Sequence, residues 1–260
     1  MAMRQALVEL IGNEILAPGT CLHTYRDAEI AREAQPGQFI NVRPSLGNDP
    51  LLRRPLSICS VDREAETFTV LIKEVGMGTR LLLAMRPGER LDMLAPLGTI
   101  FDWQGAGRLL LVAGGVGVAP MLFTALEARM VPDRPEVIFC YGARSAADFV
   151  LLERIEPLVD RLVLTTNDGS RGERGFITEA AERFFTPEAR ILTCGPNPMM
   201  NDLLRRMRAA GLEGQVSLEN QMGCGIGACQ GCVVPTRRGF IRICIEGPVM
   251  DTGMLDAIAF

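Results

Sequence analysis

Between residues 3 and 103 apolar and polar positions alternate in short bursts, at 4–11, 20–26, 38–42, 56–61, 67–73 and 90–94. A period of two belongs to strands with one buried face. Turn residues part the bursts: Ala-Pro-Gly at 17–19, Pro-Gly at 36–37, Gly-Asn-Asp-Pro at 47–50 and Pro-Gly at 87–88. Six short strands so spaced predict a small antiparallel barrel. One helical stretch interrupts them at 78–85, with Thr79 as its candidate cap and Pro87 as its stop. Past Trp103 the rhythm changes. Continuous apolar runs at 108–113, 136–141, 161–166 and 190–194 alternate with helical stretches at 119–130, 148–158, 178–185 and 198–210. That order predicts a parallel sheet covered on both faces. The last helix carries Pro198 near its start, arginines at 205, 206 and 208 near its end, and Gly211 beyond it, as helix termini prefer. A final segment ends in short strands around Cys244. The predicted organisation is a β-barrel over 1–104, an α/β domain over 105–215 and a small C-terminal subdomain over 216–260.

Composition narrows the function classes. The 260 residues suit two domains and an appendage, and 48% hydrophobic residues supply a core built mostly from aliphatic side chains, since only 5% are aromatic. The net charge is −4 with no long basic run, which leaves no electrostatic case for nucleic acid. Glycine and proline break the longest apolar runs, so no membrane span is expected. The start lacks an apolar core and cleavage site of the secretory kind, so a cytoplasmic location is expected. Eight unevenly spaced cysteines in a core-forming chain argue against a disulfide framework. Cys21, Cys59, Cys140 and Cys194 read as buried free thiols. The chain's one histidine, His23, lies in a barrel strand with no nucleophile motif beside it, and no catalytic role is expected of it.

The other four cysteines carry the strongest chemical signal. Cys224, Cys229, Cys232 and Cys244 are spaced C-x4-C-x2-C-x11-C in a run rich in glycine. Three thiolates from a tight loop and a fourth from farther on is the arrangement of a plant-type [2Fe–2S] cluster. Gly223, Gly225, Gly227 and Gly231 permit unusual φ values and let backbone N–H groups face the cluster's negative charge. Two alternatives stand: structural zinc, which ordinarily uses two close pairs where only Cys229 and Cys232 form one, and a thiol-rich loop without metal.

Three further motifs bear on cofactors. Arg53-Arg54-Pro55-Leu56-Ser57 opens a barrel strand and resembles the flavin signature R-x-x-S of the ferredoxin reductase-like superfamily. A guanidinium there can grip the FAD pyrophosphate bidentately, and the Ser57 hydroxyl can sit near flavin N5. Val75-Gly76-Met77-Gly78-Thr79 reads as a phosphate cradle at a helix start. Ala113-Gly114-Gly115-Val116-Gly117-Val118-Ala119-Pro120 joins a strand to a helix, where a dinucleotide pyrophosphate can meet a helix N-terminus, although Pro120 replaces the third glycine of G-x-G-x-x-G. Read alone, that run is better taken as a tight strand–helix turn. Thr193-Cys194-Gly195-Pro196 resembles the CGP nicotinamide motif of the same superfamily. The loop at 166–170 is either a glycine turn with Asp168 as helper or a cofactor contact. Tyr141-Gly142-Ala143-Arg144-Ser145 lacks an acid for a ribose 2′-hydroxyl, so NADP preference stays open beside the reading of Arg144 as a surface residue.

The order of these motifs, barrel with R-x-x-S, then GGxGxAP and CGP, then the cysteine loop, resembles the electron-transfer subunits of class B (NAD-dependent) dihydroorotate dehydrogenase. Residues 217–225, Ser-Leu-Glu-Asn-Gln-Met-Gly-Cys-Gly, are very like that family's approach to its cluster, and Glu246-Gly247-Pro248-Val249 is like its closing segment. The resemblance spans essentially the whole chain. It implies FAD contacts at Arg54, Pro55, Leu56, Ser57, Leu71, Ile72, Lys73, Gly78 and Thr79, and cluster ligation by Cys224, Cys229, Cys232 and Cys244. It also implies nicotinamide contacts at Gly115, Gly117, Cys194 and Gly195, with Ser57 and Cys194 as the candidate catalytic residues. The partner it implies is an FMN-containing catalytic subunit that oxidises dihydroorotate to orotate in pyrimidine biosynthesis, in a heterotetramer of two chains of each kind. Electrons would then pass through [2Fe–2S] and FAD to NAD. The absence of a general base in this chain agrees, since hydride transfer to a flavin mainly needs stacking and orientation. The alternatives are the flavin and iron–sulfur subunit of a related NAD(P)H:ferredoxin oxidoreductase or sulfhydrogenase, and a non-catalytic redox-sensing protein.

Overall fold

The structure, a computed structural model, describes residues 4–45, 47 and 49–258. Asn48 of the predicted turn lies outside them, as do the first three and last two residues of the predicted units.

The alternating first third closes into a barrel. Its strands are β1 (Arg4–Ala17), β2 (Thr20–Arg26), β3 (Phe39–Val42), β4 (Arg54–Asp62), β5 (Thr67–Lys73) and β6 (Arg90–Leu97), in the order β1-β2-β5-β4-β3-β6 with every pairing antiparallel. Leu10, Tyr25, Ile40, Ile58, Phe68, Val70 and Met93 fill the interior. Each such side chain contributes about 1.5–3 kcal/mol of burial free energy. β1 runs six residues past its predicted end because residues 12–17 pair with β2 in a hairpin turned at Gly19, without an alternating pattern of their own. A short helix, α1 (Ala28–Glu33), follows β2. It is too short to show a 3.6-residue period, and Asp27 caps it by accepting from the N–H groups of Glu29 and Ile30. The predicted helix at 78–85 is α2 (Met77–Leu83).

His23 is buried inside the barrel wall, with Nδ1 2.8 Å from the Tyr25 hydroxyl and Nε2 without a partner among the described residues. Burial lowers its pKa to about 4. The folded chain therefore holds a neutral imidazole that the unfolded chain protonates below its ordinary pKa. This contribution to stability is present above about pH 6.5 and is lost as pH falls toward 4, on the order of 2–3 kcal/mol in all. We expect chemical denaturation between pH 7 and pH 4.5 to show the loss, and His23→Gln to flatten it.

The second third is a seven-stranded sheet with its helices on both faces. The elements are β7 (Arg108–Gly114), α3 (Val118–Met130), β8 (Glu136–Ala143), α4 (Leu152–Ile155), β9 (Arg161–Thr166), β10 (Glu173–Arg174), α5 (Ile177–Glu182), β11 (Ala189–Cys194), α6 (Asn197–Ala209) and β12 (Gly214–Ser217). The strand order is β10-β9-β8-β7-β11-β12-β15, where β15 (Val249–Asp251) comes from the chain's last segment and runs antiparallel to β12. The sheet is thus parallel except at that edge. The predicted helix over 148–158 is broken. Leu151 has φ 64° and Pro157 lacks an N–H, so only the single turn α4 survives between two 3-10 turns. In α6 Met200, Leu203, Leu204 and Met207 form the buried stripe. α3 is buried on nearly every side: it lies between the sheet and the barrel, and its Phe123 joins the barrel core.

The last segment adds a hairpin, β13 (Val233–Thr236) and β14 (Gly239–Arg242), and one helical turn, α7 (Ile243–Glu246). Cys244 therefore sits in a helical turn between strands rather than within one. This segment shares a core with the barrel, where Phe39 and Leu97 pack with Met222, Cys232, Val234, Ile243 and Cys244. Thr99 staples the two together, donating its N–H to the Gly247 carbonyl at 2.7 Å and its hydroxyl to the Val249 carbonyl at 2.8 Å. Cys21, Cys59, Cys140 and Cys194 are buried free thiols, as their sequence contexts predict.

Candidate electron-transfer sites

Residues 222–232 form a loop of bends and turns rather than a helix or strand. Its backbone N–H groups converge on sulfur. Those of Ile226 and Cys229 approach Cys224 Sγ at 3.4 Å each, that of Gly227 approaches Cys244 Sγ at 3.2 Å, and that of Gly231 approaches Cys229 Sγ at 3.4 Å. Gly225 and Gly227, at φ +73° and +76°, make this curl possible. The thiols stand in two pairs, Cys224 with Cys229 and Cys232 with Cys244. Burial alone would raise the Cys224 thiol, but the N–H donors bring it down to about 7. Burial, with Cys232 beside it, pushes Cys244 up to about 12. Among the described residues no three His, Cys, Asp or Glu side chains converge on a point suited to one metal ion. Four thiols with backbone N–H donors aimed at their sulfurs fit a binuclear iron–sulfur centre, which takes two thiolates for each iron. Cys229 is exposed, Cys224 half-buried, and Cys232 and Cys244 buried, so one side of the loop faces outward.

The two adjacent arginines at the start of β4 have different roles. Arg53 clamps β6, donating to the Asp92 carbonyl at 2.9 Å and to the Asp92 carboxylate at 2.6 Å. Burial works to raise the Asp92 pKa, and the bonds from Arg53 and Gln5 outweigh it, holding the carboxyl below its usual range. Arg54 is half-buried, packs over Gly78 at the start of α2, and has no carboxylate partner among the described residues; its donors reach only the Leu52 and Arg53 carbonyls. An unneutralised guanidinium beside a helix start suits a phosphate. Leu51, Leu52, Val75 and Met77 are exposed apolar residues around it, the surface a large ring system would cover. Thr79 is buried, and its hydroxyl accepts from the N–H groups of Val75 and Gly76 at 2.9 and 3.2 Å, which shapes the turn into α2. Pro55, Leu56 and Ser57 are half-buried. Leu71 and Ile72 are buried in the cores, which leaves their backbone for a ligand, and Lys73 lies 3.9 Å from Asp148.

The glycine turn after β7 and the Cys194-Gly195 pair after β11 meet at the carboxyl ends of adjacent strands. Gly117 makes that meeting possible, because a Cβ there would overlap the Cys194 carbonyl. Gly115 has φ +55°, and the Tyr141 hydroxyl donates to its carbonyl at 3.3 Å. Carboxyl ends of strands are where open α/β sheets take nucleotides. Cys194 is fully buried: burial, then the nearby Glu219 charge, raises its thiol well above the ordinary value, so it stays protonated. Glu219 is an exposed residue whose carboxyl is nonetheless crowded by protein, and the lost hydration raises its pKa. Asp168 accepts from the Ser170 N–H and hydroxyl at 2.9 and 2.6 Å, and chiefly that hydroxyl bond lowers its pKa, so it holds its own turn. Arg144 is exposed at the tip of β8.

Residues 219–256 match the model of the iron–sulfur cluster binding domain of dihydroorotate dehydrogenase B, and residues 111–205 match that of the oxidoreductase NAD-binding domain. The chain is 37% identical over 245 residues to the dihydroorotate dehydrogenase B (NAD(+)) electron transfer subunit of Desulforamulus reducens, covering 92% of this chain and 93% of the relative. The chain belongs to the family of dihydroorotate dehydrogenase B electron transfer subunits. A second member, from Shouchella clausii, is 38% identical over 227 residues, covering 85% of this chain and 86% of its own length. A solved structure of an NADH-dependent reduced ferredoxin-NADP oxidoreductase superposes with TM-score 0.85 at 27% identity, covering 97% of this chain and 90% of its own. As a dihydroorotate dehydrogenase B electron transfer subunit, the chain is an oxidoreductase component with a ferredoxin reductase-like barrel, an NAD-binding domain and an iron–sulfur domain.

Proposed function

We propose that this chain carries electrons between NAD and an FMN-containing catalytic subunit that oxidises dihydroorotate to orotate in pyrimidine biosynthesis. The observation that carries the reading is the cysteine loop, whose two pairs of thiols lie among converging N–H groups against the wall of the barrel. Arg54 would hold the FAD pyrophosphate, with Gly78 and Thr79 shaping the turn beside it, and Pro55, Leu56 and Ser57 would line the ring. Gly115, Gly117, Cys194 and Gly195 would take the nicotinamide nucleotide at the carboxyl ends of β7 and β11. Cys224, Cys229, Cys232 and Cys244 would ligate a [2Fe–2S] cluster. Bound FAD supplies two-electron exchange with nicotinamide and the cluster supplies one-electron exchange with the partner. The chain's own side chains orient these groups and keep the nearby thiol of Cys194 protonated. The functional units are 1–104, 105–215 and 216–260, and two copies join two catalytic subunits in the cytoplasm. Among the described residues no helix is long and apolar enough to cross a membrane.

Co-expression with candidate flavoprotein subunits tests the proposal. The expected complex contains FMN, FAD and iron and reduces NAD with dihydroorotate. A chain that instead joins a ferredoxin-linked partner, and gives no dihydroorotate oxidation with any FMN subunit, contradicts it. A purified chain without FAD or iron contradicts the redox reading altogether.

A further inference from the structure

The strand β3 is where barrel and cysteine loop meet, and its four residues split between them. Ile40 and Val42 point into the barrel core, whereas Phe39 belongs to the core shared with the C-terminal segment. Alternation places Asn41 on the same side as Phe39. Across the ladder Phe39 faces Ser57 and Asn41 faces Pro55, so those two residues of the flavin signature share that side.

Asn41 is fully buried, an unusual place for an amide. Its Nδ2 donates to the carbonyl of Cys224, the first thiol of the loop, at 3.3 Å. Its Oδ1 meets no donor among the described residues. Gly225, the next residue of the loop, allows the approach: a Cβ there would overlap the Asn41 amide, and its φ of +73° is one that side chains disfavour. A buried amide left partly unsatisfied costs free energy that an apolar residue of similar size would not. Packing alone therefore does not account for asparagine at this position, and among the described residues its side-chain bond runs from the flavin strand's neighbour to the backbone of a candidate cluster ligand.

We propose that Asn41 is a positioning residue that docks Cys224 on the flavin side of the barrel and so sets electron exchange between barrel and loop. The inference rests on the cofactor reading above and adds the residue that couples its two sites. Asn41 touches no sulfur; it acts through the Cys224 carbonyl.

The test compares wild type with Asn41→Leu, which keeps the approximate size but loses the donor, and Asn41→Ala, which loses both. Three readouts are taken on the purified full chain: FAD and iron content, hydrogen exchange of the 224–229 amides, and anaerobic stopped-flow rates of flavin and cluster reduction by NADH. Both variants should retain FAD. Exchange at 224–229 should speed by about tenfold, the worth of one buried hydrogen bond. Cluster reduction relative to flavin reduction should slow by about tenfold or more, as expected when reacting groups are misplaced by up to an ångström. Loss of iron with FAD retained supports the docking role equally. Wild-type exchange together with wild-type cluster reduction in both variants would overturn it, as would equal slowing of flavin and cluster reduction. Iron missing from the wild type would instead overturn the cluster reading, a failure visible before any variant is made.

Discussion

Cys229→Ser in the assembled complex abolishes electron delivery between the partner and NAD, by more than about 100-fold, while NADH still bleaches the flavin of the same chain. The reasoning is geometric. Cys229 is the exposed member of the four thiols, so its replacement removes no core packing. It lies beside Cys224 and accepts from the Gly231 N–H, so on the proposed assignment the variant would lose one ligand of one iron. The nucleotide turn at Gly115–Gly117 and the Arg54 strand lie on other elements and keep their geometry. Anaerobic titration with NADH, followed by addition of the partner with orotate, reads the two halves separately. Loss of both halves would mean that the loop supports the flavin site itself. Unimpaired delivery would remove the loop from the electron path.

Arg54→Ala raises the dissociation constant for FAD by about 10- to 100-fold, the range for losing a charge-assisted, bidentate phosphate contact. Arg54→Lys recovers only part of it, because a point charge lacks the guanidinium fork. Neither change should alter folding much, since Arg54 makes no ion pair among the described residues and bonds only to nearby carbonyls. Arg53→Ala behaves oppositely. It breaks the Arg53–Asp92 pair, in which the side chains are only 17% and 16% exposed, and should destabilise the barrel by about 1–2 kcal/mol while FAD affinity changes little. Flavin content after gel filtration and thermal melts of both variants check the contrast. Similar effects from the two arginines would refute the division of labour between them.

The barrel was legible because each of its strands buries one face, so alternation and turn residues carry the information. The parallel strands were legible as apolar runs for the complementary reason that both faces are covered. Several features escaped, two of them for clear physical reasons. The antiparallel edge strand β15 is three residues long and pairs with β12 from 30 or more positions away, a distance at which local pattern says nothing. The helix expected over 148–158 had a suitable composition, yet Leu151 adopts a left-handed conformation that composition does not reveal. At the candidate site, spacing alone singled out the four loop cysteines, and folding gathers backbone N–H donors around their sulfurs. The R-x-x-S spacing selects Arg54, but it could not show the role of Arg53, which depends on Asp92 arriving from β6. Asn41 carries no motif and matters only through what folding brings against it.

The direct test of electron carriage is low-temperature electron paramagnetic resonance of the iron–sulfur centre, recorded anaerobically with each reductant in turn. With the chain alone, NADH should produce the signal of the reduced cluster and dihydroorotate should produce none. With the catalytic partner bound, dihydroorotate should produce the same signal without NADH, and NAD should then discharge it. A signal from dihydroorotate in the isolated chain would contradict the account. So would a complex that turns over dihydroorotate and NAD at full rate after the cluster has been removed.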